Sequence, residues 1–521
     1  MLAQGIDYKE RVHVYTDKDC YLSGEDMWVR LVVYDNNHTI SDISKTGYIE
    51  LANAEKPYVQ QLLALEAGSG SAALRIPRST PGGVYRLYGY TRFMRNEGEE
   101  VFFAKDIVII NPDYQDNNYE IINIRVDEDN LPEPADNLLT FGRRSPASVQ
   151  LPSLPDNLID VNVSVYREDI SSNLPAKHEG VKFNGRPLSF LRWSPEYEGH
   201  IVTGRILSES SSPVANVAFV GDVICFVAGR PFENRDLVEF YTSSVYGRQE
   251  MVATLHNLYR DTLEQAKFEI VTPFAGETPE TLSYTDAVIS KQSFMERYTA
   301  LQLNAEPPAK LSYIDPDRYT HSRVDRYDLD EYNQFPTLEE TMHEFVYFVR
   351  VATISGKKRI RMFMLEEDRY NNGNTLVLLD GVPIFDHEQV LAYNPRFIQY
   401  LNVYNANYVF GGRLFKGIVS LVTYEGNLPH FILDDYSDLI EYTFPLLPET
   451  LPSPDYSDVN QRISAIPDMR STLYWQPYTG DDSTKDISFH TSDLTGKYRI
   501  AIEGITDSGT IYWDTIHFYV K

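Results

Sequence analysis

Apolar and polar residues alternate in short runs along the first part of the chain. Seven runs, each bounded by turn residues, are β-strand candidates: residues 12–15, 27–34, 47–51, 60–65, 70–76, 84–91 and 101–110. Seven short strands within about 100 residues are typical of an antiparallel β-sandwich. The pattern therefore predicts a sandwich over residues 1–112, ending in a polar linker that begins near Asn111.

The same alternation continues beyond this linker. It predicts a second sandwich over residues 113–190 and a third over residues 191–276. The strand candidates in these two stretches are residues 148–151, 160–166, 198–207, 218–227 and 268–271. Between them, residues 251–265 have the apolar spacing of a short helix, although a strand is the alternative there.

The pattern changes after this point. Residues 285–306 carry apolar side chains at helical spacing without glycine or proline, which predicts an amphipathic helix. The stretch 307–336 is rich in Asp, Tyr, Arg and Pro, so residues 277–336 are predicted to form a helix and an extended connection. Thr337 then opens another helix with Glu340 three residues on, which is the capping-box pattern.

Residues 337–427 are predicted to form a mixed α+β domain. Its strand candidates are residues 344–351, 359–365, 375–379, 397–405 and 417–424. The next stretch, 428–467, becomes rich in proline after Pro445 and is predicted to be a linker. Alternating runs beyond it predict a small C-terminal β-domain over residues 468–521.

Composition and charge narrow the classes of partner. Apolar residues make up 42% and charged residues 23% of the 521 residues, an ordinary globular balance. The formal net charge of -28 repels phosphate backbones and anionic lipid, so no nucleic acid partner is expected. The most apolar stretch, 214–229, is interrupted by Gly221 and Asp222 and is too short to span a bilayer, so no transmembrane segment is expected.

Motifs that carry catalysis or hold cofactors are missing from the sequence. It has no Gly-x-Ser-x-Gly elbow, no His-Glu-x-x-His zinc helix and no phosphate- or dinucleotide-binding glycine loop. The two cysteines, Cys20 and Cys225, cannot form a disulfide framework, and we interpret them as apolar packing residues. Acidic groups such as Asp434, Asp435 and Asp438 lack a calcium-loop pattern. No catalytic residue, cofactor or metal site is therefore expected.

Two stretches resemble known modules. The sequences HVYTDKDCYLSGEDMW at residues 13–28 and GVYRLYGYTRFMRN at 83–96 together resemble the macroglobulin-like MG2 domain of large envelope proteins of the Bacteroidota. More weakly, IVTGRI at 201–206, followed by PVANVA at 213–218, resembles the carboxypeptidase-regulatory-like β-sandwich. These resemblances imply a protein of the cell envelope.

A third resemblance lies in the α+β domain. The segments LVLLDGVPI, FIQYLNV, YVFGGR and GIVSLVT, found between residues 376 and 423, are similar to the plug domain of TonB-dependent receptors. Asp380 and Gly381 are predicted to form a structural turn within it. Tyr400, Phe410 and Phe415 are expected to form an interface on a face that a neighbouring sandwich or another protein covers. The stretch after residue 426 is too short and too polar for a receptor barrel, so transport is not expected.

The predicted fold class is mainly β: tandem Ig-like or macroglobulin-like sandwiches with one α+β plug-like domain. The resemblances imply a non-enzymatic, exported envelope protein that acts as a scaffold or binding protein and docks on another envelope or outer-membrane protein. The opening Met1-Leu2-Ala3-Gln4 is interpreted as the remnant of a trimmed secretory signal, which places the protein in the periplasm or at the outer-membrane surface. Two alternatives stay open: a carbohydrate- or peptide-binding accessory protein of an outer-membrane uptake system, and a hydrolase with an unrecognised site.

Overall fold

A computed structural model gives the structure of the chain. It describes residues 8–113, 122–127, 139–172, 181–183, 191–207, 213–257, 262–280, 282, 285–303, 312–315, 324–333, 335–478 and 486–521. Strands dominate these residues and are arranged in several sheets, so the predicted mainly β fold class is confirmed. Both cysteines are buried and unbridged.

Within the described residues, eighteen strands precede residue 247. In chain order they are β1 Glu10–Thr16, β2 Cys20–Leu22, β3 Asp26–Asp35, β4 Thr46–Ala52, β5 Pro57–Ala64, β6 Ser69–Arg75, β7 Gly83–Tyr90, β8 Phe103–Ile110, β9 Ile122–Asp127, β10 Leu139–Phe141, β11 Pro146–Gln150, β12 Leu158–Arg167, β13 Ile170–Ser172, β14 Ile201–Ile206, β15 Pro213–Phe219, β16 Phe226–Phe232, β17 Asn234–Tyr241 and β18 Val245–Tyr246.

The remaining described strands are β19 Arg248–Asn257, β20 Thr262–Glu264, β21 Phe268–Ile270, β22 Thr285–Ser290, β23 Tyr313–Ile314, β24 Val324–Asp328, β25 Val349–Ile354, β26 Lys357–Met364, β27 Arg369–Tyr370, β28 Leu376–Leu379, β29 Val382–Pro383, β30 Ile398–Phe410, β31 Arg413–Thr423, β32 Ser437–Thr443, β33 Thr472–Pro477, β34 Asp486–His490, β35 Gly496–Thr506 and β36 Ile511–Val520. The described α-helices are α1 Lys291–Leu303, α2 Leu338–Phe345, α3 His387–Leu391 and α4 Val459–Arg462. The longest of them has 13 residues, so within the described part of the chain no helix is long enough to cross a membrane.

The chain divides into two compact units. The first unit comprises residues 1–197, 274–309 and 445–521, and the second comprises residues 198–273 and 310–444. Each unit is thus assembled from stretches that are far apart in the sequence. The N-terminal sandwich of the first unit packs the sheet β1-β3-β6 against the sheet β2-β8-β7-β4-β5. Alternating apolar residues from both sheets form its core.

The second sandwich of the first unit joins two distant segments, which corrects the predicted boundaries. β12 lies between β35 and β33, and β10 pairs with β36 in the same five-stranded sheet. β11 pairs with β34 to form the facing sheet. From the sequence, these segments were predicted to be separate domains, 113–190 and 468–521. They combine because β12 is buried along most of its length and needs a neighbouring strand on each side, which the C-terminal segment provides.

The structure also decides two local predictions. The predicted helix at 285–306 begins as a strand, because β22 pairs in parallel with β9 before α1 starts. Within the stretch 251–265, the described residues take the strand alternative rather than the helix, since β19 and β20 form part of a large sheet in the second unit. Tertiary pairing overrides the local apolar spacing at both places.

The second unit contains a large sheet and a mixed block of sheets and helices. Strands β14–β17 and β19–β21 form one large sheet, which β32 extends by pairing with β19. The rest of the second unit contains the sheet β24-β30-β31-β28-β29, the small sheet β25-β26-β27, and the helices α2 and α3. We call these elements together the plug-like block, after the sequence resemblance. The predicted boundaries of this region are corrected: β24 lies before residue 337, and β32 lies inside the stretch 428–467 predicted to be a linker. Thr337 caps α2 by accepting a hydrogen bond from the backbone N–H of Glu340, as the capping-box pattern predicts.

Candidate functional site

The residues Asp380 and Gly381 connect β28 to β29 in the plug-like block. Both have positive φ angles, 44° and 77°. A Cβ atom at residue 381 would lie 2.6 Å from the carbonyl oxygen of Phe219, so a side chain there would be strained and would clash. Glycine is therefore required at this turn for both conformational and steric reasons.

The carboxylate of Asp380 is fully buried and is used by the fold itself. It accepts hydrogen bonds from the backbone N–H and the hydroxyl of Thr423, each at 2.7 Å. It also accepts one from the backbone N–H of Leu428 at 2.8 Å. These three contacts tie the turn to the end of β31, so Asp380 has a structural role rather than a ligand-binding one.

The face of Tyr400, Phe410 and Phe415 was expected to be covered by a neighbouring sandwich or by another protein, and at Phe410 and Phe415 the neighbouring sandwich covers it. Each of the three is at most 8% exposed. Phe410 and Phe415 belong to an apolar cluster with Ile224, and the ring of Phe226 lies 4.9 Å from that of Phe410. The large sheet of the same unit covers this face, so the three side chains are core residues.

An exposed aromatic surface lies elsewhere on the same block. We call it the aromatic patch, and its members are Tyr347, Phe348, Phe363, Leu365 and Tyr370. Tyr347 is 73% exposed and Leu365 is 58% exposed. The ring of Phe363 stacks 6.3 Å from that of Phe348 and meets the ring of Tyr370 edge to face at 5.2 Å. Phe348, Phe363 and Tyr370 therefore form a connected group of rings beside the small sheet β25-β26-β27, and Tyr347 and Leu365 are the most exposed members of the patch.

Two arginines complete the aromatic patch. The guanidinium of Arg350 lies 5.2 Å from the centre of the Tyr370 ring, and that of Arg361 lies 5.7 Å from it. Such cation–π contacts keep a guanidinium close to an aromatic face. The sequence contains a signal for this surface, because Val346 to Val349 are four consecutive apolar residues, and alternation alone places about half of such a run in solvent.

A second candidate site lies in the first unit, in a cleft between its two sandwiches. We call it the inter-sandwich cleft. Its free volume is about 10 Å³, which is room for about one water molecule, and it is lined by Tyr15, Thr16, Asp17, Lys18, Asp19, Lys105, Asn162, Ser164, Tyr166, Trp475, Ala501, Glu503 and Trp513. Residues from β1, β8, β12, β33, β35 and β36 therefore meet in it.

Lys105 is the buried cation of this cleft. Its ammonium group donates to the hydroxyl of Thr16 at 2.6 Å and pairs with the carboxylate of Asp19 at 2.7 Å. Burial acts to lower the pKa of Lys105, but the nearby carboxylates of Asp19 and Glu503 outweigh it and raise that pKa. Lys105 is therefore held in its charged form by partners inside the protein.

Asn162 stands out among the lining side chains. It lies on β12, is 2% exposed, and neither its amide nitrogen nor its amide oxygen has a hydrogen-bond partner in the described structure. Its neighbour on the same face, Ser164, donates to the carbonyl oxygen of Asp17 at 3.0 Å. Sequence reasoning missed this residue, because the sandwich that positions it is built from two distant segments.

Among the residues that the structure describes, no three His, Cys, Asp or Glu side chains are grouped so that they could hold a metal ion. The acidic residue Asp438 instead accepts a hydrogen bond from the backbone N–H of Phe268 at 2.7 Å. That carboxylate therefore stabilises the large sheet of the second unit.

Comparison with known proteins gives low similarity throughout. A scan against protein-family models finds no match, and a search of the curated proteins finds none. Among solved structures, native Escherichia coli alpha-2-macroglobulin matches at 9% identity and a TM-score of 0.24, over 99% of this chain and 40% of that one. A Salmonella alpha-2-macroglobulin variant matches at 9% identity and a TM-score of 0.24, over 100% of this chain and 40% of that one.

Latent PorU from Porphyromonas gingivalis matches at 9% identity and a TM-score of 0.15, over 99% of this chain and 34% of that one. The chain therefore spans well under half of the length of each of these structures. TM-scores this far below 0.5 carry no argument for a shared function.

Proposed function

We propose that this chain is a non-enzymatic, exported protein of the cell envelope that acts as a multidomain scaffold or binding protein for another envelope or outer-membrane protein. The aromatic patch on the plug-like block is the observation that carries the proposal. Export and the envelope setting are supported by the sequence resemblances alone.

The composition of the aromatic patch favours a protein partner. Aromatic residues and arginine are enriched at the centres of protein interfaces, where they provide most of the binding free energy. The patch combines four aromatic side chains and Leu365 with Arg350 and Arg361 at its edge. Contiguous apolar surface of this kind on a water-soluble domain often marks an interaction site.

Phe410 and Phe415 are buried, so their face of the plug-like block is not available to a partner. It is covered within the same unit. A partner that recognises the block must then use another of its faces. The patch is such a face, and the small sheet that carries it is packed onto the same core through Ile360 and Met362.

The test is a cross-linking pull-down of the full-length protein from solubilised outer membranes of the source organism, read by mass spectrometry. The patch variant carries Tyr347→Ser, Phe348→Ser and Leu365→Ser. We expect it to recover the main partner at least about tenfold less efficiently than the unmodified protein, as loss of interface anchors predicts.

A matched control changes exposed apolar residues in the first unit. Ile463 and Ile466 are 71% and 75% exposed, and their exchange to Ser removes a similar kind of surface outside the plug-like block. Recovery should be unchanged in this control. Equal recovery by the patch variant, with circular dichroism showing an intact fold, would reject the proposed docking surface.

A further inference from the structure

The small sheet β25-β26-β27 has an open edge. β25 is its terminal strand, and its six residues pair with β26 in a regular antiparallel register without a bulge. In such a pair, successive residues point their backbone N–H and C=O groups alternately toward the partner strand and away from it. The N–H of Phe363 donates to the carbonyl oxygen of Phe348 at 2.7 Å, so Phe348 and every second residue after it face β26.

The backbone groups that point away from β26 belong to Val349, Val351 and Thr353. Within the described part of the chain, no hydrogen bond reaches these outward N–H and C=O groups. Tyr347 belongs to the same alternation and does have a partner, because its N–H donates to the hydroxyl of Tyr327 at 3.1 Å. Thr353 is exposed, and β25 contains no proline. A strand edge that is neither covered nor interrupted in these ways is a template for a further strand.

The hairpin that carries this edge is strongly basic. Residues 345–365 contain five lysine and arginine residues and no aspartate or glutamate, in a chain of net charge -28. The strand register places four of the five on one face of the hairpin: Arg350, Lys357, Arg359 and Arg361. Among the described residues, neither Arg350 nor Lys357 has an acidic partner. An acidic segment is the partner that complements such a face.

We propose that β25 binds an acidic, extended segment of the partner protein, which adds to the small sheet as its fourth strand. This inference rests on the proposed function, because the rings of Phe348 and Phe363 in the aromatic patch stack beside the same edge. Side chains on one face of the added strand lie beside Arg350, where acidic groups are favoured. Those on the other face lie beside Val351, which is opposite the buried Ile360, so apolar groups are favoured there.

The open edge favours a polypeptide over other anions. In strand addition, main-chain hydrogen bonds provide affinity, and alternate side chains provide specificity. Nucleic acids and lipid headgroups can pair with the arginines through phosphate, but they have no alternating N–H and C=O groups for the edge of β25. The overall negative charge of the chain also repels long phosphate polymers.

The experiment measures binding of a synthetic peptide to the full-length protein by fluorescence polarisation. The probe is a fluorescein-labelled peptide of about ten residues in which glutamate alternates with valine. We expect saturable binding with a Kd below about 1 mM. The same peptide with lysine in place of glutamate should bind at least about tenfold more weakly, because its charge is then repelled by the basic face.

A second peptide tests the backbone hydrogen bonds without changing the protein. It is the glutamate peptide with a methyl group on each backbone nitrogen, so it keeps its charge but cannot donate to the edge of β25. Its affinity should be at least about tenfold lower. The proposal is overturned if the unmodified peptide does not bind, or if the methylated peptide binds equally well.

A proline substitution tests the edge itself. Thr353→Pro removes an outward N–H that β26 does not use, and proline is tolerated at such positions of edge strands. It should weaken peptide binding by about tenfold or more, whereas Thr353→Ser keeps the N–H and should bind like the unmodified protein. Hydrogen exchange of the amides of Arg350 and Ala352, which face β26, shows whether the hairpin is intact. An intact Thr353→Pro hairpin that binds the peptide normally rejects strand addition, and if the hairpin is lost, the methylated peptide decides.

Two further measurements separate this inference from related ones. An oligothymidylate of about ten nucleotides that binds as tightly as the glutamate peptide would identify a general polyanion site and overturn strand addition. In the pull-down of the proposed function, Thr353→Pro should lose the main partner as the patch variant does. A partner that the patch variant loses and Thr353→Pro retains leaves the docking surface in place but overturns strand addition. Peptide binding combined with normal recovery by both variants supports the strand-binding edge and rejects the docking surface alone.

Discussion

The surroundings of Asp380 and Asn162 differ although both side chains are polar and buried. The carboxylate of Asp380 accepts three hydrogen bonds from the fold, whereas the amide of Asn162 has none. A polar group that is fully paired within the protein stabilises that protein, and it has no reason to attract a ligand. The amide of Asn162 instead lines a water-sized space, so an internal water molecule is the partner that fits there.

The largest expected effect comes from removing the paired carboxylate. Asp380→Ala leaves the backbone N–H groups of Thr423 and Leu428 without acceptors, which should lower the free energy of unfolding of the second unit by about 3 to 5 kcal/mol. Hydrogen exchange of these two amides measures the effect directly, since both should lose protection. Asp380→Asn keeps one acceptor oxygen and should lose less. Unchanged exchange in the alanine variant would contradict the structural role.

The next effect concerns His387, a buried and paired group in the same unit. Its Nδ1 atom accepts a hydrogen bond from the backbone N–H of Ile360 at 2.9 Å. Burial, with the nearby charge of Arg359, lowers the pKa of His387 to about 4. In the unfolded chain this residue takes up a proton as the pH falls through about 6.5, whereas in the folded chain it does so only near pH 4. The free energy of unfolding is therefore highest above about pH 6.5 and falls by up to about 3 kcal/mol as the pH decreases to about 4.

Urea unfolding of the second unit between pH 4 and pH 7 checks this dependence. The decline between about pH 6.5 and pH 4 should be largely absent in His387→Gln. His343 is exposed on α2, and His343→Gln is the matched control that should retain the decline. A variant of His387 with the same pH profile as the unmodified protein would show that another group is responsible.

The smallest effect comes from a comparison of two buried asparagines. Asn371 is as buried as Asn162, but its amide donates to the hydroxyl of Thr375 and to the carbonyl of Lys416, each at 2.7 Å. Its oxygen accepts from the backbone N–H of Gly373 at 3.0 Å. Asn371→Leu should therefore cost about 2 to 3 kcal/mol, whereas Asn162→Leu should change stability by less than about 0.5 kcal/mol.

Thermal and urea unfolding of the two variants side by side make this measurement. Equal destabilisation would mean that Asn162 is paired in solution by a permanent partner, for which the space beside it has the size of one water molecule.

Local sequence patterns were sufficient to predict most strands of the first sandwich. All seven runs predicted there contain strands, because alternation of apolar and polar residues follows directly from a sheet with one buried face. The short strand β2 was missed, since three residues carry too little periodicity. The positive φ of Asp380 and Gly381 was likewise foreseeable from the turn chemistry of the Asp-Gly pair.

Contacts between distant segments were not predictable in the same way. The partner strands of β12 lie about 300 residues away, and nothing in the alternation of either segment identifies the other. The side chains of Phe410 and Phe415 are apolar in either case, and only the position of Phe226 decides that they are core residues. The unpaired state of Asn162 depends on the same long-range assembly. The candidate sites therefore had to come from the structure.

The two-part construction of the second sandwich also has a consequence during protein synthesis. β12 leaves the ribosome about 300 residues before β33, so at usual elongation rates it waits roughly 15 to 60 seconds for its neighbours. Throughout that time its apolar face and both of its edges have no native partner. Until then its edges can pair with other chains, and the emergence of β33, β35 and β36, rather than local folding, sets the moment at which the inter-sandwich cleft first exists.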